Sequence, residues 1–130
     1  MKYVQILAST FAFAAEPKDE ARASAAAWLK AFDAADYPST WKAASEGFKA
    51  AVSSDSWSQT AKAVRTPLGQ LKTRTERSAT YTRSLPGAPD GEYVVIQFET
   101  VFENKAHSLE TITAKREPDG NWKIAGYFVK

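Results

Sequence analysis

The sequence predicts an α+β domain: three N-terminal helices packed on a curved four-stranded antiparallel sheet. Three observations predict it. Apolar residues recur at helical spacing through the first half of the chain, the period switches to two from Leu71 onward, and Pro/Gly/Asp turn chemistry cuts the second half into four segments. Helices are expected at about 18–36, 40–52 and 55–67, and strands at about 71–85, 92–104, 107–116 and 121–129. Helical signals first and strand signals second is the layout of an α+β fold.

The elements follow in order. Residues 1–15, within MKYVQILASTFAFAAEP, have a basic Lys2, a short apolar run and small residues Ala12 and Ala14 flanking Phe13. This is the order of a secretory signal peptide, with cleavage expected after Ala14 or Ala15, and the run is shorter than the ~20 residues a membrane span requires. A single domain then covers 16–130, and the expected location is periplasmic or secreted. The first helix opens with Pro17, Asp19 and Glu20 and carries Ala25, Trp28, Leu29 and Phe32 on one face; Pro38 disfavours helix at Tyr37. Ser39 is a candidate cap for the second helix, whose stripe is Trp41, Ala44, Phe48, Ala51 and Val52. Ser54 or Asp55 caps the third, with Trp57, Ala61, Val64 and Leu68 on one side and Pro67 and Gly69 at its end. Asp33 and Asp36 read as the solvated C-terminal face of the first helix.

Pro-Asp-Gly at 89–91 and at 118–120 marks two turns on one rim of the meander. Strands of 10 to 14 residues, at roughly 3.3 Å per residue, are longer than a flat sheet in so small a domain needs, so the sheet is expected to curl around the helices. Apolar matching across the turns gives an inner face of Tyr81, Ile96, Phe98, Ile112, Ala114, Trp122, Ile124 and Phe128. It places Arg74 opposite Glu103 on the outer face. It also aligns Arg77, Thr100, Glu110 and Gly126 in one polar row across the inner face. That row has two readings: an ion pair near an open rim, or the polar floor of a ligand pocket walled by Tyr81 and Trp28. The outer face is threonine-rich, but Val95, Val101, Leu109, Tyr127 and Val129 offer a sheet-face contact for a second copy or a protein partner.

Composition excludes several classes. The formal charge is +2, too balanced for the basic footprint of a nucleic-acid binder. There is no cysteine, hence no disulfide framework, and no cofactor motif. The single histidine, His107, sits beside a turn, so the serines and threonines have no evident activating base, and no metal-ligand spacing is present. No residue is assigned a catalytic role. Four tryptophans in a short chain fit a core of large side chains or an aromatic-lined cavity.

Several stretches resemble an uncharacterised bacterial exported family, domain of unknown function 4019. They are AAAWLKAFDAADYPSTWKAAS, VRTPLG, ATYTRSLPGAPDGEYVVIQFET, NKA and WKIAGYFVK. The resemblance implies a cystatin-like, nuclear-transport-factor-2-like cone and an exported single domain, and it implies no activity. The functional expectation is a non-catalytic domain that binds a small apolar or amphipathic ligand or a protein partner. The alternative is an isomerase, dehydratase or hydrolase with Glu110 as general base and Tyr81 or Arg77 stabilising an oxyanion.

Overall fold

A computed structural model describes residues 16–130; the leader-like segment lies outside the described residues. Helix α1 spans Pro17–Asp33, α2 Tyr37–Lys42, α3 Glu46–Ala51 and α4 Ser54–Arg65, followed by a 3-10 turn at Thr66–Leu68. The strands are β1 Leu71–Thr82, β2 Tyr93–Phe102, β3 Lys105–Arg116 and β4 Trp122–Val129, in the order β1-β2-β3-β4, all antiparallel. The α+β class and the curved sheet beneath the helices are as expected from the sequence.

The second expected helix is two. Ser45 breaks it: its backbone N–H donates to the Ile124 carbonyl at 2.8 Å, and its hydroxyl accepts from the Phe48 N–H, capping α3 anew. Asp36, rather than Ser39, caps α2, with Pro38 tolerated in the first turn where its missing N–H costs nothing. Ser53 caps α4. Gly69 ends the helical half with φ +78°, and a Cβ there would stand 2.7 Å from a carboxylate oxygen of Glu103.

Helix α1 lies across the sheet and buries Ala21, Ala25, Trp28, Leu29 and Phe32 against Val94, Ile96, Ile112, Ala114, Trp122 and Ile124. The tryptophans mainly build this core. The Trp28 and Phe32 rings stack at 5.1 Å. Buried Thr40 serves two indoles: its carbonyl accepts from Trp28 Nε1 at 3.0 Å and its hydroxyl from Trp57 Nε1 at 2.8 Å.

Register is where sequence and structure part, and two bulges account for most of the difference. Ala79 pairs with Ile96 and Tyr81 with Val94, not with Phe98 and Ile96. A bulge at Arg77, between Glu76 and Ser78, then places Arg74 opposite Thr100. Between β2 and β3 the slip is two residues, so inner faces are kept: Ile96 meets Ile112 and Thr100 meets Ser108. Its cause is a tighter turn at Glu103–Asn104. In β4, Ile124 pairs with Ala114 but Gly126 with Thr113, leaving Ala125 as the extra residue. That bulge turns Tyr127 inward, against Trp28 and Phe32, and Phe128 outward, where it is 54% exposed. Both residues were expected on the opposite faces.

Candidate functional site

The polar row exists, with different members. Glu110 is fully buried at the centre of β3, and its carboxylate accepts four hydrogen bonds. Arg74 contributes two, Nε to Oε1 at 2.7 Å and Nη2 to Oε2 at 3.1 Å. The hydroxyls of Thr100 and Tyr127 donate to Oε1 and Oε2 respectively. Arg74 then reaches past Glu110 to the end of α1, donating from Nη1 and Nη2 to the Asp33 carboxylate at 2.8 and 3.0 Å. Arg65, at the end of α4, closes the chain of contacts: its Nη2 lies 3.5 Å from Asp33, its guanidinium stands 4.5 Å from the Phe102 ring centre, and it donates to the Gly69 carbonyl.

Two carboxylates and two guanidiniums make the cluster neutral in sum, as deep burial requires. The Arg74 pKa is raised: burial opposes the charge, but hydrogen bonds to Asp33 and Glu110 outweigh it. Burial, reinforced by the Glu110 charge, raises the Tyr127 phenol as well.

Of the residues singled out from sequence, the structure brings Thr100 and Glu110 together; both are sealed, 2% and 0% exposed. Arg77 is not with them. It is exposed, over the outer sheet face beside Glu99 and His107, because β1 bulges at that residue. Arg74 takes the position expected of Arg77, and is not paired with Glu103. Tyr81 lies near the opposite end of β1, its hydroxyl donating to Glu92 at 3.0 Å. Trp28 packs beside Tyr127 at 5.5 Å and so borders the cluster. Asp33, read as solvated, is a full partner of the cluster. A signal for Asp33 and Arg65 was present: each follows a buried residue of its helix by four positions, Leu29 and Ala61, and so continues the buried stripe.

Chemically, this arrangement holds charge in place. Glu110 has no free lone pair aimed at a cavity: both carboxylate oxygens are occupied by two donors each, so neither is placed to take a proton from a substrate. Among the described residues no group of three or more His, Asp and Glu side chains is placed to hold a metal ion, and no helix is long and apolar enough to cross a membrane.

Two open grooves flank α1. One, of about 450 Å³, runs between α1 and β1 with Leu29 and Phe98 in its wall and Asp33 and Arg74 at its edge. The other, of about 720 Å³, lies between α1, α2 and the start of β4. Its floor is Trp28 and Trp122, its walls are Ala23, Ala27, Ala31 and Ala43, and Glu20, Ser24, Ser39, Thr40, Asn121 and Lys123 are its polar members. The buried Trp122 indole N–H has no hydrogen-bond partner.

No curated protein matches the chain. The model of a family described as a protein of unknown function (DUF4019) matches residues 24–127, from the middle of α1 to the inward-facing Tyr127, and the chain belongs to that family.

Proposed function

We propose that this is an exported, periplasmic, non-catalytic binding domain that takes a small apolar or amphipathic ligand in the larger groove, over Trp28 and Trp122. The observation that carries this reading is the groove's construction. Two indoles lie beneath walls of alanine, in a volume of about 720 Å³, within the 300–1,000 Å³ typical of small-molecule sites. Among the described residues that line it, Lys123 is the one cation, a partner for the polar end of an amphipathic ligand. The saturation of Glu110 supports a binding role over a catalytic one. The exported location rests on the leader-like order of residues 1–15.

The test is tryptophan fluorescence of the chain titrated with a fatty acid such as laurate, beside an Ala27→Trp variant that fills the groove from its exposed wall. Saturable quenching or a blue shift in the parent, lost in the variant with its melting temperature unchanged, supports the reading. Equal responses in both overturn it. Native mass spectrometry of the chain taken from its own periplasm tests location and ligand retention together.

A further inference from the structure

The two edges of the sheet are not alike. The edge of β1 is defended: it bulges at Arg77 and carries Lys72, Arg74 and Glu76, features that discourage pairing with another strand. The edge of β4 is closed only at its start, where Ala44 bridges Ile124 and the Ser45 N–H donates to the Ile124 carbonyl. Beyond that point, among the described residues, nothing pairs with it.

Which backbone groups face outward there follows from the ladder. Leu109 and Lys130 exchange both of their backbone hydrogen bonds, at 2.8 and 3.1 Å. In an antiparallel pair such exchanging residues alternate with non-exchanging ones. Phe128, opposite Thr111, and Gly126, opposite Thr113, therefore also bond toward β3. The N–H and C=O of Tyr127 and Val129 are left pointing away from the sheet.

We infer that this free half of β4 pairs antiparallel with the same segment of a second copy of the chain, about a two-fold axis at Tyr127. The occupant is specified by shape. With Tyr127 opposite its own counterpart, Phe128 of one copy falls opposite Gly126 of the other, and the reverse. Phe128 is 54% exposed, and a Cβ built on Gly126 meets nothing within 4 Å. Both lie on the outer face. An aromatic ring without cover thus meets a bare glycine twice in one contact, the arrangement by which cross-strand aromatics cover edge glycines. The exchanging pair of this new ladder is Tyr127 with Tyr127, so Gly126–Phe128, one residue on, is a non-exchanging pair, the kind with its side chains closest. A contact generated by a two-fold axis is self-complementary and closes at the dimer.

The contact is short and belongs to the weak, concentration-dependent class, so sedimentation velocity on the chain is followed up to about 1 mM. The parent's mass should rise toward twice the chain mass. Val129→Pro removes an outward donor without touching the β3 ladder, and Phe128→Thr removes the ring; both should stay at the chain mass with unchanged melting. Because the parent has no cysteine, mixed oxidation of Gly126→Cys and Phe128→Cys chains gives an independent readout. The mixed disulfide should exceed either same-variant disulfide, since a non-exchanging pair has its Cα atoms about 4.5 Å apart. A parent that stays at the chain mass throughout overturns the inference. So does a dimer that persists in Val129→Pro with no preferential mixed disulfide, which would place the second copy on the threonine-rich sheet face.

Discussion

Replacing Glu110 with Gln tests the cluster most directly. The substitution keeps shape and removes the charge. The amide oxygen can still accept from one donor pair, Arg74 Nε and Thr100, but its NH₂ is then turned toward Arg74 Nη2, which can only donate, and toward the Tyr127 hydroxyl, which can accept only by giving up its own donation. Breaking a buried ion pair from one side costs about 3–5 kcal/mol. Asp33 continues to neutralise Arg74 through two bonds, so the lower end applies, about 3 kcal/mol, or a fall of roughly 10–15 °C in melting temperature for a domain of this size. Against a typical total of about 5–15 kcal/mol this is a large share. Urea unfolding followed by tryptophan fluorescence measures it, with Trp28 only 5.5 Å from Tyr127 as reporter. A second variant, Arg74→Met with Glu110→Leu, removes both sides of the pair and should recover part of the loss, giving a coupling energy above about 1 kcal/mol. A Glu110→Gln protein within about 1 kcal/mol of the parent would refute the reasoning, because a saturated buried carboxylate cannot be that cheap to neutralise.

Arg74→Ala should destabilise by several kcal/mol while Arg77→Ala stays within about 0.5 kcal/mol, since Arg77 is exposed outside the network; comparable losses in the two variants would contradict the observed register. The Tyr127 phenol is held protonated in the fold by burial and by the Glu110 charge. Its contribution is therefore complete below the ordinary tyrosine value of about 10 and is lost as pH rises past it, at up to about 1.4 kcal/mol per pH unit for each such proton. Tyr37, raised by burial, adds to the same alkaline loss. Tyr127→Phe should flatten that slope, read as unfolding midpoints across the alkaline range, and an unchanged slope would disprove the assignment. Gly69→Ala should cost about 1–3 kcal/mol, because the residue sits at φ +78° and the added methyl would meet Glu103 side-chain atoms at 2.7 and 2.9 Å; thermal melting decides it.

The layers and the inner faces of β2 and β3 were legible because their apolar residues alternate, and any slip by two residues preserves the faces. Ile96 and Ile112 are inside under either register. Strand β1 offered no such guide. From Lys72 to Ser78 it has no apolar side chain, so nothing in the sequence could tell Arg74 from Arg77 as the residue over Thr100. Glu110 stood out because it interrupts an apolar face, and that anomaly pointed to a real site with one wrong partner. Asp33 and Arg65 were harder to see, since a charged residue in the last turn of a helix ordinarily faces solvent. Only the sheet beneath them makes those helix ends interior.

The bulge at Ala125 carries consequences in two directions. Were Ala125 paired in the ladder instead of bulged out of it, strict alternation after Ile124 would turn Gly126 and Phe128 inward and Tyr127 outward, which is what apolar matching alone predicts. Glu110 would then lose one of its hydroxyl donors, and the space beside Trp28 and Phe32 would be filled by a ring unable to donate a hydrogen bond to a carboxylate. With Ala125 bulged out, Tyr127 completes the shell around Glu110. Gly126 and Phe128 are moved together to the outer face, where both are open to a neighbour. The same backbone irregularity therefore satisfies the buried charge and creates the uncovered ring-and-glycine pair on the β4 edge. Deleting Ala125 should therefore preserve both features, because Gly126 then follows Ile124 directly and plain alternation keeps Tyr127 inward and Gly126 and Phe128 outward on the same β3 partners; a deletion variant in which Tyr127→Phe no longer costs stability, because the hydroxyl has left Glu110, would contradict this account of the bulge.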